Sequence, residues 1–154
     1  MQAETTVREG HAGDAVALSD LVMPLARHLL DAGPGALSGA HPLLATLTAE
    51  GFAQRLLSPQ YVHYVVEEDK RLCGMIATRD GYHVHHLFVR DATRRRGIAR
   101  QLWEHALRRH GNRDYTVNSS EIAVPVYERF GFIASGPAQT ARGVRFVPME
   151  RRAR

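Results

Sequence analysis

Apolar residues recur along the chain in two rhythms, and the points where one gives way to the other divide it into elements. Alternation over residues 5–8 predicts a short first strand, and Gly10-His11-Ala12-Gly13 a turn after it. Asp14 is placed to cap a helix whose apolar positions Val16, Leu18, Leu21, Val22, Leu25, Leu29 and Leu30 follow the helical period. Pro24 falls inside it and is expected to bend or split it. Residues 32–42 hold three glycines and two prolines and read as a loop. A second helix starts at Thr48, turns Phe52, Leu56 and Leu57 inward, and ends near Ser58-Pro59.

Three strands are expected next, over residues 61–67, 71–78 and 82–89. Their links, Glu68-Asp69-Lys70 and Arg79-Asp80-Gly81, are short enough to make them antiparallel neighbours. A helix over 97–110 follows, with Ile98, Leu102, Ala106 and Leu107 as its buried stripe and Trp103 in the core or at an interface. Beyond Gly111-Asn112, residues 114–118 form a strand reached by a helical crossover, hence parallel to its partner. Ser119 or Ser120 caps a short helix over 121–129, Gly131 ends it, and strands over 132–135 and 144–149 complete the chain. The order β-α-α-β-β-β-α-β-α-β-β predicts an α/β fold: one domain over residues 1–154, a mixed sheet with helices on both faces.

Residues 83–109 carry the first chemistry. A strand, a charged turn and a helix opening at Gly97-Ile98-Ala99 expose backbone N–H groups that have no partner inside the helix, where the helix dipole adds positive charge. A diphosphate fits such an end. Gly97 keeps side-chain atoms out of its way, Ala99 is small, and Arg94, Arg95, Arg96 and Arg100 bring guanidinium groups that hold phosphate oxygens in a fork. Neither the phosphate loop GxxxxGK[ST] nor the dinucleotide fingerprint GxGxxG occurs here.

Composition narrows the class. With 154 residues, 44% hydrophobic and 23% charged, the chain suits one globular core rather than a disordered segment. No apolar run approaches the roughly 20 residues of a membrane helix, and the N-terminus lacks an apolar signal core, so a soluble cytoplasmic protein is expected. The single cysteine, Cys73, excludes an internal disulfide and sits in an apolar run that favours a buried thiol. A net charge of +4 invites a nucleic-acid reading. Much of the excess lies in the arginines around Gly97 and in the tail Arg151, Arg152 and Arg154, with few aromatics between them to stack bases, and an anionic cofactor explains the first cluster more economically.

Arg94-Arg95-Arg96-Gly97-Ile98-Ala99 matches [Q/R]-x-x-G-x-[G/A], and with Leu87-Phe88-Val89 before it the stretch resembles the acetyl-coenzyme A site of the GCN5-related N-acetyltransferase (GNAT) superfamily. A second stretch resembles that superfamily's other acetyl-CoA motif: Asn118 ends a strand, and Ala123, Tyr127, Gly131 and Phe132 follow at the spacing xxAxxxYxxxGF. The resemblance spans nearly the whole chain, least well over 32–47. It implies a mostly antiparallel sheet with a splay between its two parallel strands. Unpaired backbone on Leu87 and Val89 then receives the pantetheine arm as an extended peptide would be received, with Asn118 on the opposite lip. It further implies acetyl-CoA as co-substrate, direct transfer to an amine, and Tyr127 near the coenzyme sulfur as acid to the departing thiolate. A homodimer is frequent among proteins of this kind.

An alkylamine is protonated at pH 7, so direct transfer also needs a proton relay. Histidine titrates in the right range, and a period of two puts His83 and His85 on one face of their strand, the face of Leu87 and Val89, with His86 on the other. In the arylalkylamine branch of the superfamily a pair of histidines stands at this place, and His83 and His85 match it. The chain has nine histidines, and packing is the commoner fate of a histidine on a sheet. Metal binding by His83, His85 and His86 is not expected, because no cysteine or carboxylate completes a set. An acyl-CoA-binding module without turnover is the alternative, and the acceptor amine stays unnamed.

Overall fold

A computed structural model describes residues 5–32, 42–90, 97–141 and 143–154. Its strands are β1 (Thr6–Glu9), β2 (Tyr61–Glu68), β3 (Arg71–Arg79), β4 (His83–Val89), β5 (Tyr115–Ser119), β6 (Ile133–Ala134), β7 (Gln139–Ala141) and β8 (Val144–Arg151). Its helices are α1 (Ala15–Ala32), α2 (Pro42–Thr46), α3 (Ala49–Leu57), α4 (Ile98–His110) and α5 (Val124–Arg129). The sheet runs β1-β2-β3-β4-β5-β8-β6, with β7 on β8 off this path, and every pair is antiparallel except β4 with β5. The expected mixed sheet is therefore present, with α2 and β7 added to the expected order.

The hairpins follow from their turn residues. Asp69 and Lys70 have φ of 52° and 63°, and Asp80 and Gly81 of 57° and 75°. Two consecutive left-handed residues match the twist of the flanking strands and close them tightly.

Two apolar clusters occupy the two faces. On one, α4 lays Ile98, Leu102, Trp103 and Ala106 against Tyr64, Val66, Ile76, Val84, Tyr115 and Val117. On the other, α1 and α3 lay Leu18, Val22, Ala26 and Phe52 against Val65, Met75 and Ala77. Trp103 is thus core, stacked on Phe130 at 5.9 Å. Cys73 is buried, its thiol donating to the Val66 carbonyl.

Several expectations are corrected. Pro24 does not split α1, since the helix runs through it to Ala32. Val16 and Leu57 are 63% and 75% exposed, lying beside the stripes that pack rather than in them. Asp14 is not the N-cap itself but the third residue of a capping box: in a 3-10 turn over Ala12–Asp14 its carboxylate accepts one hydrogen bond from the N–H of the N-cap His11 and two from Arg8, at 2.9 and 2.8 Å. Thr48 does cap α3, accepting from the Gly51 N–H, and Ser120 rather than Ser119 accepts from Ala123 ahead of α5.

Candidate active site

The one parallel pair defines the cleft. Registered partners between β4 and β5 are His83 with Thr116 and Val84 with Val117, and pairing stops there. Both strands stay bound on their outer sides: β4 runs along β3 as far as Val89, and β5 along β8 as far as Ser119. The strands therefore diverge over the second half of β4.

Alternation along the β3 ladder says which groups line the gap. The Arg90 N–H donates to the Cys73 carbonyl at 2.8 Å, so Arg90 and Cys73 form a hydrogen-bonding pair, as do Phe88 and Met75 two residues back. Leu87 and Val89 then turn their N–H and C=O groups the other way, into the splay. Phe88 commits its main chain to β3 and packs its ring with the α1 and α3 cluster.

The start of α4 stands at the same end. Gly97 precedes it at φ 77° and ψ 16°, and a Cβ there would meet nothing within 4 Å. Among the described residues the first bond of the helix is from the Gln101 N–H to the Gly97 carbonyl, and the N–H groups of Ile98, Ala99 and Arg100 have no acceptor within α4. Ile98 buries its side chain and Ala99 half-buries its own, so both offer main chain only. The Arg100 guanidinium turns away from the helix start, lying 5.4 Å over the Phe130 ring and reaching the Arg129 carbonyl. Arg94, Arg95 and Arg96 lie outside the described residues.

Gly74 on β3, which the sequence reading did not single out, sets how closely α4 approaches. A Cβ at Gly74 would meet Ile98 Cγ2 at 2.9 Å and Leu102 Cδ1 at 3.2 Å. Only a missing side chain lets the helix seat against the sheet here.

On the far lip, Asn118 is exposed and registered with Pro148 of β8. Tyr127 is buried on α5, edge-on to Phe132 at 5.5 Å and to Phe130 at 6.2 Å. Burial pushes its phenol well above the ordinary range, so the hydroxyl keeps its proton.

The histidines follow a different geometry from the one expected. Ala77 pairs with His86 but Thr78 pairs with Val84, so His85 is an extra residue in a β-bulge. The bulge resets the alternation: Val84, Leu87 and Val89 pack toward α4, while His86 joins Phe52 and Phe88 on the opposite face. His85 lies on that same side, 5.1 Å from the Tyr61 ring and 4.3 Å from His86. His83 and His85 therefore do not share the face of Leu87 and Val89, and His86 does not point away from them.

The environments of the pair differ. His83 Nδ1 shares a hydrogen bond of 2.8 Å with Thr116 Oγ1, and burial, aided by Arg79, lowers its pKa. Burial first and Arg55 second bring His85 down to about 4. Both imidazoles are consequently neutral at pH 7 and able to accept a proton. Among the described residues no group of three or more His, Cys, Asp or Glu is arranged to hold a metal, and no helix is long and apolar enough to cross a membrane.

A sequence profile described as the acetyltransferase (GNAT) domain matches residues 33–153. The chain belongs to the GNAT acetyltransferase family, and it is an acyltransferase. A search of curated protein sequences finds no match. Among solved structures it is similar to the PaiA N-acetyltransferase of Thermoplasma acidophilum in complex with coenzyme A, with 11% identity, a TM-score of 0.78, and coverage of 97% of this chain and 99% of that one. A GCN5-related N-acetyltransferase from Rhodopseudomonas palustris is similar at 16% identity and TM-score 0.74, with 99% and 98% covered. The ribosomal-protein-S18-alanine N-acetyltransferase of Escherichia coli is similar at 16% and 0.63, with 97% and 94% covered.

Proposed function

We propose that the protein is an acetyl-CoA-dependent N-acetyltransferase that moves acetyl directly from the thioester to an amine. The observation that carries this reading is the arrest of β4–β5 pairing after Val84, beside a glycine-opened helix start. Main-chain groups of Leu87 and Val89 bind the pantetheine arm as an added strand, with Asn118 at the other lip. The N–H groups from Gly97 to Arg100, reinforced by Arg94, Arg95 and Arg96, hold the diphosphate. Coenzyme A in the similar Thermoplasma acidophilum structure supports the choice of carrier.

The amine nitrogen attacks the thioester carbonyl while main-chain N–H near Val89 stabilises the oxygen that becomes negative. The carbon–sulfur bond then breaks, and Tyr127 gives the departing thiolate a hydrogen bond or its proton. His83 or His85 takes the amine's proton outward, directly or through water. Nothing in this sequence of steps requires an acyl-enzyme.

Calorimetry with acetyl-CoA and thiol release across a panel of amines test the reading. Binding with release confirms a transferase, binding without release for any amine leaves a regulatory acyl-CoA module, and no binding ends both.

A further inference from the structure

Arg55 Nε, His63 Nε2 and His86 Nδ1 are buried and have no hydrogen-bond partner among the described residues. All three belong to side chains that touch one ring. Phe52, itself fully buried, has the Arg55 guanidinium 4.8 Å over its centroid, with the imidazoles of His63 and His86 at 6.3 and 6.0 Å. Arg55 spends Nη2 on the Thr46 carbonyl at the end of α2, which fixes the guanidinium without using Nε. A buried polar atom left unpaired is costly, and three around one phenylalanine ask for a partner from outside the chain.

The charge around them says what kind. His63 and His86 are 2% and 9% exposed, and among the described residues every charged or titrating group acting on them is a cation or another imidazole: Arg55 on both, with His85 and His63 on His86. Burial and these neighbours keep both rings neutral at pH 7, leaving each ring one N–H to give beside one permanent cation. A carboxylate brings several acceptor sites and a single negative charge, matching one guanidinium and two imidazole donors. A phosphate dianion would remain half-balanced.

The place is also right for an acceptor. His86 lies on the face of His83 and His85, with its ring 5.7 Å from that of Phe88, and three residues of strand, roughly 10 Å, separate it from the end of β4 at Val89, where the acetyl group is held in the transferase reading.

We propose that Arg55, His63 and His86 form a carboxylate subsite, so that the amine acetylated is part of an amino acid or another short aminocarboxylate. This rests on the acetyl-transfer reading. The test compares acid and neutral amide of the same amine, glycine with glycinamide, β-alanine with β-alaninamide and lysine with lysinamide, by thiol release with wild-type protein and with Arg55→Gln and Arg55→Lys. At least one acid is expected to exceed its amide by roughly tenfold in kcat/KM, the worth of one charge-assisted contact. Arg55→Gln should erase that ratio and Arg55→Lys keep part of it, with acetyl-CoA affinity unchanged in calorimetry. Wild-type protein that binds acetyl-CoA and uses every amide as well as its acid overturns the subsite, whatever the variants do. Wild-type protein that does not bind acetyl-CoA overturns the transferase reading instead.

Discussion

At the scale of single residues the proposed mechanism sets two protonation demands that burial answers. In the proposed mechanism Tyr127 holds a proton until a thiolate appears, and its apolar surroundings favour the protonated phenol. Tyr127→Phe is expected to lower kcat about tenfold or more while acetyl-CoA affinity changes little, as read by steady-state kinetics beside calorimetry; an unchanged kcat would remove the acid role. The proposed relay through His83 needs a neutral, fixed ring, and Thr116 holds its Nδ1. Thr116→Val should reduce kcat severalfold with the same acetyl-CoA dissociation constant. If kcat stays at the wild-type value, the relay does not run through His83.

At the scale of elements, what matters is how α4 meets the sheet. Two glycines govern this in different ways, and substitution separates them. Gly97→Ala meets open space, so its cost to stability is the left-handed conformation alone, about 1–2 kcal/mol. Gly74→Ala drives a methyl into Ile98 and Leu102 and should cost about 1–3 kcal/mol in urea unfolding, while also weakening acetyl-CoA binding by displacing the helix start. Retained affinity in Gly74→Ala would show that the close seating of α4 serves the core only. Gly97 was legible because a glycine between a strand and a basic helix start has few other uses. Gly74 was not, because a glycine inside an apolar strand betrays its purpose only when the partner helix is in view. The same holds for His63: Arg55 lies one helical turn after Phe52 on α3, but only the packing of α3 on β2 brings His63 to them. The histidine faces were misread for another reason, since counting by twos assumes a regular ladder and a bulge leaves no mark on the apolar pattern.

At the scale of the whole molecule, the buried imidazoles couple folding to acidity. His63 has a folded pKa of about 4 against an ordinary value of 6.5, so between those limits the unfolded chain binds more protons and stability rises with pH. Its contribution is complete above pH 6.5 and lost as the pH falls toward 4, about 3 kcal/mol for this group alone. His85 and His86 are shifted in the same direction. Thermal melts from pH 7 to pH 4.5 are expected to show a marked fall in Tm that His63→Gln makes shallower. A flat profile would mean that these rings stay hydrated enough to titrate normally. The overall architecture was readable because periodicity, short turns and two spaced motifs agreed with one another. The additions, α2 and β7, span five and three residues, too few for a period to register.

The bulge in β4 carries one implication for how this enzyme tolerates change. His85 has no registered partner across from Ala77 and Thr78, so a chain from which that one codon is deleted keeps Val84 and Leu87 in phase and closes the ladder without a defect. Such a protein should fold with a circular dichroism spectrum and melting temperature close to those of the parent, yet lose most of its turnover. That outcome would make the extra residue surplus to the scaffold and assign its worth to the proposed proton relay.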